Sequence, residues 1–226
     1  MKKLVKGLHQ FRTEAFLSQQ ALFERLTHGQ SPDALFITCS DSRINPNLIT
    51  QTDPGDLFLI RNAGNIVPAH GTTVCGEIAT IEYAVCELKV KDIIICGHTL
   101  CGAIKGLLSD SPMDHMPTLV KWLDYAATTK RLIQDIYAKE IDDEETLLNI
   151  ATQENVLVQL EHLRTLPVVA SALTRGELNL HGWIYKIQTG EVFAYNPDLG
   201  QYDRLSEVSN PEGAKGRFRL SESASI

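Results

Sequence analysis

Leu4, Leu8, Phe11, Phe16, Leu17, Leu22, Phe23 and Leu26 recur at steps of about three and four residues, which predicts helix through the first thirty positions with one apolar stripe. The stripe is long, and part of it is expected to rest on a partner subunit. After Gly29-Gln30-Ser31-Pro32 the pattern changes. Residues 34–38, 57–60 and 92–96 are short unbroken apolar runs bounded by turn residues, the pattern of strands buried on both faces. Residues 76–88, between the second and third runs, read as a helix. Strand–helix–strand alternation of this kind builds right-handed βαβ units. The fold class expected is therefore α/β, a mostly parallel central sheet flanked by helices.

Further helices are predicted over 117–139 and 143–164, and another from Pro167, a residue suited to the first helical turn, to a stop before Gly176. Residues 180–187 and 191–195, separated by Gln188-Thr189-Gly190, read as a late strand with a hairpin partner at the sheet edge. The polar stretch after Ser206 reads as a loose arm, giving one domain over 1–206 and a tail over 207–226. There is no internal repeat and no clear linker.

Composition narrows the function classes. With 21 Lys+Arg against 28 Asp+Glu the net charge is −7, which argues against a nucleic-acid partner, since phosphate contacts need a basic face. No apolar run approaches the roughly 20 residues of a membrane span, and the basic start is not followed by an apolar block. Five cysteines in a chain of 226 residues without an export signal read as reduced thiols or metal ligands. A cytoplasmic protein is expected.

Each strand run ends in an unusual string: Cys39-Ser40-Asp41-Ser42-Arg43, Arg61-Asn62-Ala63-Gly64-Asn65 and Gly97-His98-Thr99-Leu100-Cys101-Gly102. Ligands gather at the carboxyl ends of parallel strands, so the three strings point to one site. Cys39, His98 and Cys101 supply two thiolates and one imidazole, a tetrahedral set with one corner free, as in catalytic zinc sites. Cys75, Cys86 and Cys96 read as small core residues. His9, His28, His70, His115, His162 and His181 read as ordinary surface or core histidines. Beside a metal, Arg43 can hold Asp41 in a two-pronged clamp that keeps it ionised and oriented. Zinc with two thiolates and a neutral imidazole sums to zero charge. Such a centre acidifies its water less than a three-imidazole site, so activity is expected to climb from neutral toward alkaline pH.

These three strings resemble those of the β-class carbonic anhydrases, with similarity over most of the chain. It is greatest to the bacterial branch that includes cyanobacterial carboxysomal enzymes and the enterobacterial enzyme of cyanate metabolism. The resemblance implies reversible hydration of CO2 to bicarbonate and a proton, with one Zn2+ per subunit held by Cys39, His98 and Cys101. It implies that a metal-activated hydroxide attacks CO2 while the Asp41–Arg43 pair orients it. It also implies Gln30 donated across a dimer interface toward the substrate, a backbone N–H at Gly102, and Phe58, Ala63 and Tyr83 lining the CO2 pocket. Ala63 is smaller than the Val of many plant relatives. The expected assembly is a homodimer or a multiple of dimers, with no nucleic acid and no membrane. No single His is placed to carry the proton away. Some relatives have a bicarbonate-inhibited form that uses a Trp three residues before the first zinc Cys; Phe36 stands there instead, so the resting form expected keeps Asp41 on Arg43. Carboxysome localisation, through a shell-assembly protein, is the alternative to the cytoplasm; it depends in relatives on a longer C-terminal tail than this sequence shows.

Three other readings compete. Cys39 with His98 as base would make a thiol hydrolase, but Cys101 would then have no task. The same zinc site could hydrolyse carbonyl sulfide or carbon disulfide. The zinc could instead stabilise an interaction module without catalysis, against which the free fourth corner and the Asp41–Arg43 pair both count.

Overall fold

The computed structural model describes residues 1–111 and 113–205. The predicted tail, 207–226, lies outside the described residues. The helices are α1 (Lys2–Gln10), α2 (Phe16–Ser18), α3 (Gln20–Leu26), α4 (Pro46–Thr50), α5 (Gly76–Cys86), α6 (Gly102–Leu108), α7 (Pro117–Leu123), α8 (Ala127–Leu132), α9 (Glu144–Thr165) and α10 (Pro167–Thr174). The strands are β1 (Ala34–Cys39), β2 (Leu57–Asn62), β3 (Asp92–His98), β4 (Asn179–Tyr185), β5 (Val192–Asn196) and β6 (Gln201–Arg204).

One six-stranded sheet runs in the order β2-β1-β3-β4-β5-β6. The pairs β1–β2, β1–β3 and β3–β4 are parallel, and β4–β5 and β5–β6 are antiparallel. This is the expected α/β fold with its hairpin at one edge. The unbroken run of β1 is buried at every position, as a central parallel strand must be. Leu35, Ile37, Ile93, Ile95, Leu180 and Ile184 face α5, α9 and α10 and form the main core with Val156, Leu160, Leu163 and Val169. Ala34, Phe36, Ile94 and Cys96 face the other way, against Trp183 and Tyr185.

The helix α9 lies directly on the sheet because two strand positions have no side chain. A Cβ built at Gly97 would come within 2.9 Å of Val156 Cγ2, and one at Gly182 within 2.9 Å of Val156 Cγ1. Asp143 caps α9 by accepting from Thr146 N at 2.8 Å.

Three expectations need correction. The single helix over 117–139 is broken: a 3₁₀ turn at Asp124–Ala126 separates α7 from α8, and a π-turn follows at Ile133–Tyr137. Buried Leu123, Ala126 and Thr129 are spaced by three, and three residues per turn keeps all of them facing inward. The hairpin gains a third strand, β6, whose polar Gln201-Tyr202-Asp203-Arg204 carries no apolar run to announce it. Of the cysteines read as core, only Cys96 is buried; Cys75 is half-buried and Cys86 exposed.

The N-terminal helices form as expected. A π-turn at Phe11–Ala15 joins α1 to α2. No residue of α1, α2 or α3 is buried within one chain. Phe11, Phe16 and Phe23 pack on one another, Phe16 and Phe23 stacked at 4.9 Å between ring centres.

Candidate metal centre

The three polar strand ends meet. Cys39 is the last residue of β1, His98 the last of β3, and Cys101 stands just before α6. All three are buried, and their ligand atoms lie within 4.8 Å of one another. The two sulfurs are 3.9 Å apart. Two thiolates at about 2.3 Å from a tetrahedral ion would stand about 3.8 Å apart, so the spacing fits a zinc-sized ion.

The histidine is aimed by its own turn. Nδ1 of His98 is 2.9 Å from the Thr99 carbonyl oxygen and donates to it, which leaves Nε2 as the unprotonated nitrogen. That nitrogen is buried and has no hydrogen-bond partner among the described residues. A buried, unpaired imidazole nitrogen is costly unless something binds it, and a cation beside two sulfurs would do so. Leu100 holds a left-handed backbone at φ 59, which turns the chain tightly enough to bring Cys101 back beside His98.

The sulfurs sit among amides. Cys39 is pulled down to about 4, chiefly by the thiol of Cys101, against its burial, with His98 and the backbone N–H groups of Gly64 and Asp41 adding to the effect. Cys101 is pushed well above the ordinary thiol range by Cys39 and by burial, although the N–H groups of Ala103 and Ile104 oppose this. A divalent cation bound between the two sulfurs would displace their protons. Wholly buried Cys96 is pushed up to about 12 by burial and is an inert thiol.

Asp41 and Arg43 form the expected clamp. Arg43 Nε donates to Asp41 Oδ1 at 2.9 Å and Nη2 to Oδ2 at 2.7 Å, while the Arg43 backbone N–H adds a third bond at 3.0 Å. These bonds hold the Asp41 carboxyl well below the usual carboxylate range. Its Oδ2 stands 3.9 Å from His98 Nε2, at the rim of the cluster. Arg43 Nη2 also donates to the Leu100 carbonyl at 3.1 Å, so one guanidinium ties the first strand end to the third.

Gly102 opens α6 beside Cys101. Ala63 follows β2 by one residue, and its carbonyl accepts from Trp122 Nε1 at 2.8 Å. Phe58 and Tyr83 do meet, with ring centres 6.0 Å apart, but not at this cluster. Phe58 is paired with Leu35 and Asn62 with Cys39, so four strand residues, about 13 Å, separate Phe58 from the metal end. Gln30 is exposed and precedes β1, at the opposite end of the strand from Cys39. Within one chain, Gln30, Phe58 and Tyr83 therefore stand apart from Cys39, His98 and Cys101.

Sequence reasoning gave no role to Arg61, Trp122 or Asn155. Arg61 donates from Nε to the Cys39 carbonyl at 3.1 Å and from Nη2 to the Asp41 carbonyl at 2.8 Å, bracing the first strand end. Its place inside the second strand-end string was the available signal. Wholly buried Asn155 donates to the Gly64 carbonyl at 3.0 Å. A polar residue in the middle of a core helix was the clue to it.

Comparison with known proteins agrees with this geometry. The family model described as "Carbonic anhydrase" matches residues 34–192. The chain is 50% identical over 203 residues to a carbonic anhydrase of Synechocystis sp., covering 89% of this chain and 73% of that one. It is 45% identical over 211 residues to carbonic anhydrase 1 of Escherichia coli O157:H7, covering 93% and 94%. The solved structure of the β-carbonic anhydrase CcaA superimposes with a TM-score of 0.89 at 48% identity, over 92% of this chain and 93% of that one. A structure from a study of two tetrameric β-carbonic anhydrases of Sordaria macrospora gives 0.77 at 32% identity, over 90% and 100%. A Cys-His-Cys cluster at the ends of a parallel sheet, on a chain so closely related over nearly its whole length, places this protein in the β-carbonic anhydrase family, as a carbonate dehydratase.

Proposed function

We propose that the ion held by Cys39, His98 and Cys101 is Zn2+, one per subunit, and that the protein uses it to interconvert CO2 and bicarbonate. The observation that carries this reading is the buried, unpaired Nε2 of His98 beside two sulfurs 3.9 Å apart. When bound, the zinc supplies a Lewis acid that acidifies a coordinated water.

The chain's own residues do the rest. Asp41, ionised and fixed by Arg43, accepts a hydrogen bond from a proton-bearing oxygen at the rim of the site and so orients that oxygen toward CO2. Ordering by the clamp matters because a carboxylate free to rotate could itself become a fourth ligand. The Gly102 amide, at the exposed start of α6, stabilises negative charge developing on the substrate oxygen. Gln30, Phe58 and Tyr83 stand too far along the sheet to serve their own chain's cluster. They complete the pocket of a second subunit, which makes the working unit a homodimer or a multiple of dimers. Ala63 follows the strand end that carries Gly64 and lines the same pocket.

The test is metal analysis joined to stopped-flow CO2 hydration. One zinc per chain, activity lost on chelation and restored by added Zn2+, and loss of at least about 10³-fold in Cys39→Ala are expected. Full activity in metal-free protein, or in Cys39→Ala, would overturn the proposal.

A further inference from the structure

We propose that Thr99 and Gln188 are positioning residues for His98, and that through them the hairpin turn between β4 and β5 keeps one ligand of the metal centre aimed. The inference rests on the reading of His98 as a metal ligand. The His98 ring is oriented by the bond from its Nδ1 to the Thr99 carbonyl at 2.9 Å. The direction of that carbonyl therefore sets where Nε2 points. Thr99 is held at two further atoms. Its backbone N–H donates to the Tyr185 carbonyl at 3.0 Å, carrying the pairing of β3 with β4 one residue past the strand. Its hydroxyl donates to Gln188 Oε1 at 2.6 Å and accepts from the Ile187 N–H at 3.0 Å.

Thr99 is buried, yet both groups that hold its hydroxyl come from the hairpin turn, where Gln188 is exposed. The turn is closed by its own bonds. The Lys186 N–H donates to the Glu191 carbonyl at 2.8 Å, and the Gly190 N–H returns to the Lys186 carbonyl at 2.9 Å. A hydroxyl engaged both as donor and as acceptor is fixed in direction, so Thr99 is pinned at its N–H, its side chain and its carbonyl. This pinning matters because of the residue that follows. Leu100 holds its left-handed φ of 59 without being glycine, and such a residue keeps its conformation only where its surroundings over-determine it. Arg43 grips the Leu100 carbonyl on one side, and the hairpin anchors Thr99 on the other. Released from Gln188, the turn can relax and swing the Thr99 carbonyl away from His98. The imidazole then loses the partner that orients it and makes Nε2 a better donor to a metal.

The test measures the Zn2+ affinity of the intact protein by competition with a chromogenic chelator, and the visible d–d spectrum of its Co2+ form. Thr99→Val removes the hydroxyl at nearly unchanged shape. Gln188→Leu removes its partner on the exposed turn, and serves if the buried change impairs folding. Each is expected to weaken zinc binding by about 10–100-fold and to alter the d–d spectrum as the imidazole turns. Thr99→Ser and Gln188→Glu keep the donor and the acceptor and are expected to bind zinc as the parent does. The double variant is expected to lose no more than Thr99→Val alone, since one bond joins the two residues. Losses that add would overturn the inference. So would a lower melting temperature of the metal-free protein with affinity and spectrum unchanged, the mark of a purely structural role, and the metal site would still stand. A parent protein that binds neither Zn2+ nor Co2+ would overturn the metal-site reading itself.

Discussion

Arginine carries its donors in a rigid plane, and Arg43 uses that plane for two tasks at once. It grips both oxygens of Asp41 and still reaches the Leu100 carbonyl between two of the ligands. Lysine has the charge without the fork. Arg43→Ala is therefore expected to lower kcat by at least about 10²-fold, with Arg43→Lys recovering little of it, measured by stopped-flow CO2 hydration. The same grip fixes how pH acts. The folded pKa of Asp41 lies below its unfolded value, so its contribution to stability is present above the unfolded value and fades as pH falls through the folded one. Asp41 stays ionised across the neutral range and cannot supply the acid limb of a rate profile. On the proposed zinc reading the acid limb would come from water on a centre whose two thiolates cancel the charge of the ion, and kcat is expected to rise from pH 7 toward pH 9. A maximum near pH 6 would contradict that account. At this scale Cys39, Asp41, Arg43, His98 and Cys101 were legible because each sits in a short string at a strand end. Trp122 was not: it meets Ala63 across 59 positions of sequence, a separation no local spacing reveals.

Helix α9 shows how an element can be recognised from its pattern while its contacts stay hidden. The helix read over 143–164 forms over Glu144–Thr165, with Asp143 at its cap and Pro167 opening the next helix. That it rests on β3 and β4 through two bare glycines could not be read from one-dimensional pattern, since Gly97 looks like part of a turn and Gly182 interrupts a strand. A methyl group at Gly97 would meet Val156 at 2.9 Å, Thr152 at 3.1 Å and Ile184 at 3.2 Å, on branched side chains with little room to yield. Gly97→Ala is expected to destabilise by about 1–3 kcal/mol, a fall in melting temperature of about 3–8 °C by calorimetry. Because Thr152 and Asn155 belong to the same helix, the shift that relieves the clash also disturbs the buried amide network under Gly64. The parallel strands β1, β2 and β3 were legible because their runs are apolar at successive positions, whereas polar β6 was not. The break in the 117–139 helix was not, because the step of three that decides it differs by less than one residue from an ordinary helical step.

At the scale of the whole molecule, one chain leaves two things incomplete: an apolar arm and a pocket. Leu4, Val5, Leu8, Phe11, Phe16 and Leu17 are each more than a third exposed, and Leu8 reaches 69%. Apolar surface of this extent costs free energy in water and is stabilised by burial against another surface. Meanwhile Phe58 stands about 13 Å along the sheet from the Cys39 end, Tyr83 lies against the Phe58 ring, and Gln30 precedes the opposite end of β1. On the proposed dimer reading a second copy would cover each arm and supply the Gln30, Phe58 and Tyr83 of the other subunit's pocket. Placing charge on the arm should therefore separate the subunits and silence the site together. Leu4→Glu combined with Leu8→Glu is expected to shift the protein toward monomer in light scattering and to cut CO2 hydration in proportion to the dimer lost. The zinc content should stay near one per chain, because every ligand comes from one subunit. A fully active monomer would show that Gln30, Phe58 and Tyr83 take no part in the reaction, and an unchanged dimer would show that the subunits join elsewhere.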